Sequence, residues 1–434
     1  MAAAGRAAGV AGDGPSGEGL IALAVLAAFA CGFALLRGPG GVVLGLGLSG
    51  AAWSAGLLLF GATGAGADLA LLAAAGVAWR FGEQRSLVQR GRVNNVHRAV
   101  CAGAALVVAA LFLEHSIRYP DGGWDAVAIW NLRARSLFAA PQQLALVFSP
   151  ELPAQHPDYP ILLPALVAHG WFALGNRTAA VPIAMSFLFA AAGVAALASA
   201  VSARRGPTIG LAAALLLLGT PELLTLAWNQ YADVKLAMLL LVAVALAVEE
   251  RFALAGLAAG LCAFTKNEGA IELAALFLAV LLVAGRRAAV RFALGAAAPV
   301  ALLAYFKLRW APPNDLATQT RLGDVLRHAP RRIGIVARGF ALEAVDFSHW
   351  GIALPAVALA WIVKLRSRSL PAVFIALMLP VIFAVYLATP WNPVEHMHSS
   401  LDRLLFQLWP SIIYATAAAV PADASTPLPG QDRA

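Results

Sequence analysis

Charge is what this sequence has least of. Only 12% of its 434 residues are Asp, Glu, Lys or Arg, while 61% are hydrophobic, and the mean hydropathy is +0.77. A soluble domain carries about 25% charged residues, so the composition excludes one and points to a polytopic, all-α membrane protein. Cysteine is nearly as scarce. Cys31, Cys101 and Cys262 all lie inside apolar runs, which excludes a disulfide framework and any cysteine metal-ligand spacing. The glycine-rich pieces at 45–50 and 61–67 follow no strand and lack the lysine of a phosphate loop. They read as small-residue surfaces for helix packing. The net charge of +8 comes mostly from arginines in short loops, so it reports topology and excludes a nucleic-acid partner. The first apolar run, Gly19 to Leu36, is too long for a signal-peptide core and leads straight into another span, so it is expected to be retained.

Run length gives thirteen candidate spans: 19–36, 40–62, 66–80, 99–117, 178–201, 207–221, 234–250, 252–265, 269–285, 292–308, 351–364, 371–388 and 404–420. Residues 80–98 carry Arg80, Arg85, Arg90, Arg92 and Arg98 against Glu83 and are expected to be cytoplasmic. Arg204-Arg205, Arg286-Arg287-Arg291 and Lys364-Arg366-Arg368 then fall on the same side. That assignment requires Ile161 to Gly175, with Pro164 and His169, to be a protein-covered juxtamembrane or re-entrant helix that does not cross. The chain divides into N-terminal spans with a basic loop (1–98), a membrane domain (99–420) and a C-terminal tail (421–434).

The polar interruptions all emerge opposite the basic loops: 114–160, Glu222 to Asp233, Lys266-Asn267-Glu268, 309–350 and 389–403. Trp124 to Phe138 reads as one amphipathic helix, with Val127, Trp130, Ala134, Leu137 and Phe138 inward and Asp125, Arg133 and Ser136 toward water or substrate. Asp125 is either a functional carboxylate or a helix N-cap, and Asp121 before Gly122-Gly123 is either its substitute or a turn residue. Asp233 carries the same ambiguity. The span before Lys266 is about 21 Å long against a core of about 30 Å, so Lys266 and Glu268 are expected to sit recessed, facing a polar cavity. The alternative is a snorkelling lysine paired with Glu268. His396 and His398 lack a third partner for a metal, and Arg403 at the head of the final span suits an anion or an ordinary interface. Within 309–350, Ile333, Val336, Ala337, Phe340 and Ala344 recur at helical spacing, as in an interfacial helix whose arginines hold headgroups or a lipid-linked phosphate.

Several of these pieces resemble GT-C glycosyltransferases. Asp125 in Gly-Gly-Trp-Asp-Ala, Trp130-Asn131-Leu132-Arg133-Ala134 and His156-Pro157-Asp158-Tyr159-Pro160 look like the first-loop pattern. Tyr231-Ala232-Asp233 is similar to the second acidic motif. Thr265-Lys266-Asn267-Glu268-Gly269 and Ser400-Leu401-Asp402-Arg403 look like pieces of bacterial members related to protein mannosyltransferases and the lipid A aminoarabinose transferase. The paired Asp-Glu of the mannosyltransferases is missing at Asp125, and the first three spans fall outside the match.

The resemblance implies inverting transfer of a sugar from a polyprenyl-phosphate donor to a glycan, lipid or protein acceptor, at the periplasmic face of a bacterial inner membrane. It implies Asp125 as base, with Asp121 in reserve. Lys266, Arg403 and His396 would meet the departing phosphate, and Asp233 would orient acceptor or sugar. Glu268, Arg133, His156 and Tyr159 complete the expected substrate contacts. A divalent metal between Asp125 and Asp233 occurs in some relatives. Competing expectations are a polymerase or ligase using lipid diphosphates, and a transporter, which would favour midplane charges and internal repeats.

Overall fold

The computed structural model describes residues 17–61, 66–81, 95–151, 156–314, 318, 322–355, 357–358 and 369–420. In chain order its helices are α1 (Gly17–Leu35), α2 (Pro39–Phe60), α3 (Gly66–Phe81) and α4 (Asn95–Arg118). A π-helical turn, Ala126–Trp130, runs into α5 (Asn131–Ala139), followed by α6 (Leu144–Val147), α7 (Leu162–Leu174), α8 (Ala180–Arg205), α9 (Pro207–Leu218) and α10 (Pro221–Trp228). Next come α11 (Ala232–Val248), α12 (Phe252–Ala263), α13 (Asn267–Ala284) and α14 (Arg286–Arg309). The last are α15 (Leu322–Glu343), α16 (Phe347–Trp350), α17 (Leu370–Ala388) and α18 (Pro393–Ala419).

Six described helices are long and apolar enough to cross a bilayer: α2, α4, α8, α13, α14 and α17. A seventh span forms if α9 and α10, bent by 60° to each other, count as one. The protein is an all-α, multi-pass membrane protein. Among the described residues fewer helices reach spanning length than the thirteen runs suggested, and half of the run 351–364 lies outside them. α3, α11 and α12 have only 16, 17 and 12 residues, so at 1.5 Å per residue each is shorter than a core of about 30 Å.

α11 is the axis of the fold. Every residue from Ala232 to Ala247 is buried, and α8, α12 and α18 pack around it. α4 is its opposite, exposing Leu106, Val107, Leu111, Leu113 and Ile117 as a wall suited to lipid. Small residues bring helices close, as expected at 45–50. A Cβ on Gly45 would stand 2.1 Å from the Ala28 carbonyl oxygen of α1. The 61–67 piece differs: Gly61 ends α2 in a left-handed conformation at φ 59°, and a Cβ on Gly66 would meet nothing within 4 Å.

α7 is covered by protein, as the sequence led us to expect. Ten of its thirteen residues are buried, and it packs on α2 and α5. It begins halfway along α2, where a Cβ on Gly50 would lie 2.9 Å from the Leu162 carbonyl oxygen. Farther along α7, His169 Nε2 meets Asp68 Oδ2 at 3.1 Å, and its ring stacks on Trp53 at 4.0 Å.

The two ends of the bundle differ. At one, the Arg205 Nε–H donates to the Ala418 carbonyl at 2.8 Å and Arg251 donates to that of Leu35 at 2.9 Å. The expected basic residues Arg85, Arg90, Arg92, Lys364, Arg366 and Arg368, and the tail 421–434, lie outside the described residues. At the other end the first loop meets the corner before α11, the start of α13 and the first turns of α18.

Candidate active site

The site is built by docking the first loop onto the corner that joins α10 to α11. Gly122 turns the chain at φ 78°, and the Gly123 N–H donates to the Asn229 carbonyl at 3.0 Å. A Cβ on Gly122 would stand 2.8 Å from that carbonyl oxygen, and one on Gly123 would stand 2.8 Å from the Tyr231 ring. Gly-Gly is therefore the condition for this close approach. Gln230, itself at φ 59°, clamps the loop: its amide donates to the Pro120 carbonyl at 3.0 Å and accepts from Asn131 Nδ2 at 2.8 Å.

Asp125 is thereby delivered beside the first turn of α11. It makes no side-chain cap hydrogen bond to the π-helical turn that follows, so the capping alternative is set aside. Its Oδ2 accepts instead from Arg403 Nη2 of α18. The same guanidinium donates to Asp233 Oδ2, at 3.2 Å from Nε and 3.0 Å from Nη2. Asp233 Oδ1 accepts from Lys266 Nζ at 3.0 Å and from Gln407 Nε2 at 2.6 Å. Lys266 also pairs with Glu268 Oε1 at 2.9 Å. The Arg403 guanidinium lies over the Tyr231 ring, 4.6 Å from its centre. Burial, and then the Asp125 carboxylate, push the Tyr231 phenol above its ordinary value.

Exposure divides the cluster into a base and a lining. Asp233 is 0% and Lys266 4% exposed, while side-chain exposures are 12% for Asp125, 15% for Arg403 and 25% for Glu268. Asp233 accepts four hydrogen bonds and is sealed from solvent. Its carboxylate faces Lys266, Arg403 and Gln407 rather than solvent, and it holds Lys266 and Arg403 in place. Lys266 is recessed, as its short preceding helix required, and it pairs with both Asp233 and Glu268. Between Asp125 and Asp233, where the resemblance allows a metal, the bridging cation is Arg403. Two cavities, of about 280 and 270 Å³, are almost wholly apolar, and neither touches Asp125 or Lys266.

The other expected residues separate. Asp121 is 64% exposed and pairs with Arg135 at 2.9 Å on the surface, away from the cluster. Arg133 was expected to face water or substrate, but it is 0% exposed. Its guanidinium donates to the Tyr159 carbonyl at 2.7 Å. Burial lowers it to about 10, against the pull of Asp158. Val127, expected inward, is 45% exposed. Val127 lies within the π-helical turn, whose wider loop changes the helical phase so that Ala126, and not Val127, shares the buried side with Trp130. Tyr159 stacks between Trp130 and His156, with ring centres 5.6 and 4.9 Å away. Burial, then the Glu268 carboxylate, push its phenol upward. His396 lies on a neighbouring wall, with Nδ1 2.9 Å from Thr389 Oγ1 and its ring against Tyr386 and Trp391.

Sequence reasoning did not single out Gln407, one turn after Arg403, or the role of Asp158. Asp158 Oδ2 accepts from Asn267 at 2.5 Å and Asn314 at 2.7 Å, while Lys307 donates to Asn267 Oδ1 at 2.7 Å. The His156–Pro160 motif is thus tied to both α13 and α14. Spacing offered one cue to Gln407, since residues 403 and 407 share a helix face. Neither protein-family models, nor characterised proteins, nor solved structures match the chain.

Proposed function

We propose that the protein is an inverting GT-C-like glycosyltransferase. It moves a sugar from a polyprenyl-phosphate donor to a cell-envelope acceptor at the periplasmic face of a bacterial inner membrane. The thirteen-span topology belongs to this reading, with α7 as a helix that does not cross. One observation carries it: a single guanidinium bridges a partly open carboxylate, Asp125, and a sealed one, Asp233, that also holds a buried lysine.

Each residue then has a distinct task. Asp125 takes one side-chain hydrogen bond among the described residues, from Arg403 to Oδ2, which leaves it acceptor capacity for an incoming hydroxyl. Attack of that hydroxyl on the anomeric carbon breaks the bond to the lipid phosphate, and the proton passes to Asp125. The phosphate leaves with its bonding electrons, toward Arg403 with Lys266 behind it. Glu268 and His396 line the substrate side. Direct displacement needs no second carboxylate as nucleophile. Mass analysis of lipid-linked sugars and envelope glycans, with and without the gene, tests this reading. Loss of one sugar from a glycan together with build-up of its lipid donor is expected; unchanged profiles would refute the proposal.

A further inference from the structure

A second polar cluster lies outside the ion network described above, at the 60° break between α9 and α10. Glu222, in the first turn of α10, is 2% exposed, and its Oε1 has no hydrogen-bond partner. Asp402 of α18 contributes a second shielded oxygen, Oδ1, that is also without a partner. His349 of α16 completes the group, and one donor atom from each of Glu222, His349 and Asp402 lies within 4.8 Å of the others.

The surroundings hold these side chains in place. A Cβ on Gly351 would stand 2.8 Å from the Gly219 carbonyl oxygen, so the α16 turn rests directly on the break. Trp409 donates to Thr220 Oγ1 at 2.9 Å and packs on Trp350 with ring centres 5.0 Å apart. Glu343 Oε1 meets His349 Nδ1 at 2.8 Å and accepts from Trp350 Nε1 at 3.1 Å. In the tautomer that donates Nδ1–H to Glu343, Nε2 keeps its lone pair. That is the carboxylate–histidine arrangement which orients metal-ligating imidazoles. The neighbouring cation, Arg403, is already shared by Asp125 and Asp233, and neither Glu222 Oε1 nor Asp402 Oδ1 takes a hydrogen bond from it.

We infer that Glu222, Asp402 and His349 Nε2 form a binding site for one divalent transition-metal ion, of the Zn²⁺ or Mn²⁺ kind. The ion staples α10, α16 and α18 together beside the active-site arginine. Two carboxylates and an imidazole suit these ions, with a water in the remaining position. Zinc bonds of about 2.0–2.1 Å place donors about 3.4 Å apart, against the 4.8 Å within which one donor atom of each residue already lies. The site is distinct from any metal between Asp125 and Asp233, and it does not depend on sugar transfer.

The test uses the full chain purified in detergent, stripped with a chelator and titrated calorimetrically with Zn²⁺ and with Mn²⁺ alone, with thermal melting in parallel. One ion per chain and a rise in melting temperature are expected. Glu222→Gln and His349→Ala should lose the binding. Glu343→Gln should weaken it about 10- to 100-fold, and His398→Ala, an exposed histidine elsewhere on α18, should keep it. If Glu222→Gln does not fold, the half-buried His349 decides. Absence of saturable binding in the wild type, or unchanged binding in His349→Ala, would overturn the inference.

Discussion

Asp125 and Asp233 share one arginine but differ in freedom, and that difference fixes what each substitution should do. Asp233→Asn leaves Lys266 and Arg403 buried without their common counter-charge. Breaking such a pair from one side costs about 3–5 kcal/mol, so a large fall in melting temperature is expected. Adding Lys266→Met should recover part of it, because the unpaired lysine is then gone; full additivity of the two losses would contradict the network. Asp125→Asn, which leaves Arg403 its pair with Asp233, should lower melting far less than Asp233→Asn while lowering transfer about 10²- to 10⁴-fold. The sequence made Asp125, Asp233, Lys266 and Arg403 visible as isolated polar residues at helix ends. It did not reveal which carboxylate is sealed, because that depends on Gln407 and the depth of α11. Arg133 was misplaced for a related reason: its bonding partner is a backbone carbonyl, that of Tyr159, which leaves no mark in side-chain patterning.

At the scale of elements, the close approach of the first loop to the α10–α11 corner is the feature most exposed to mutation. Gly123→Val would drive side-chain carbons into the Tyr231 ring. Overpacking of this kind costs about 1–3 kcal/mol, and here it also moves Asp125 off Arg403. Transfer should therefore fall far more than the melting temperature; equal loss of both would mean that the loop is merely structural. Gly45→Val, at the α1–α2 contact, should instead lower stability and leave transfer by the surviving folded protein unchanged. Helix boundaries were mostly legible from apolar run length. The π-helical turn at Ala126–Trp130 was not, since it changes the period locally without changing composition, and it is why Val127 points outward.

For the molecule as a whole, the two ends of the bundle should face different compartments. With the native cysteines replaced, Asp121→Cys should react with an impermeant thiol reagent from outside intact cells, and Arg286→Cys only after the membrane is opened. Labelling of both from outside would overturn the orientation read from the arginine loops. The all-α membrane class was evident from composition, but the number of full-length spans was not. Apolar runs such as 252–265 look alike whether they cross or stop short, and only the burial of Lys266 beyond α12 shows that depth matters there. The central claim is that Asp125 activates a hydroxyl for sugar transfer. Its most direct test compares cells producing equal amounts of folded wild-type and Asp125→Asn protein by mass analysis of lipid-linked sugars and envelope glycans. The variant should accumulate the lipid-linked sugar and lack one sugar in its glycan. A glycan profile identical to wild type would contradict the account.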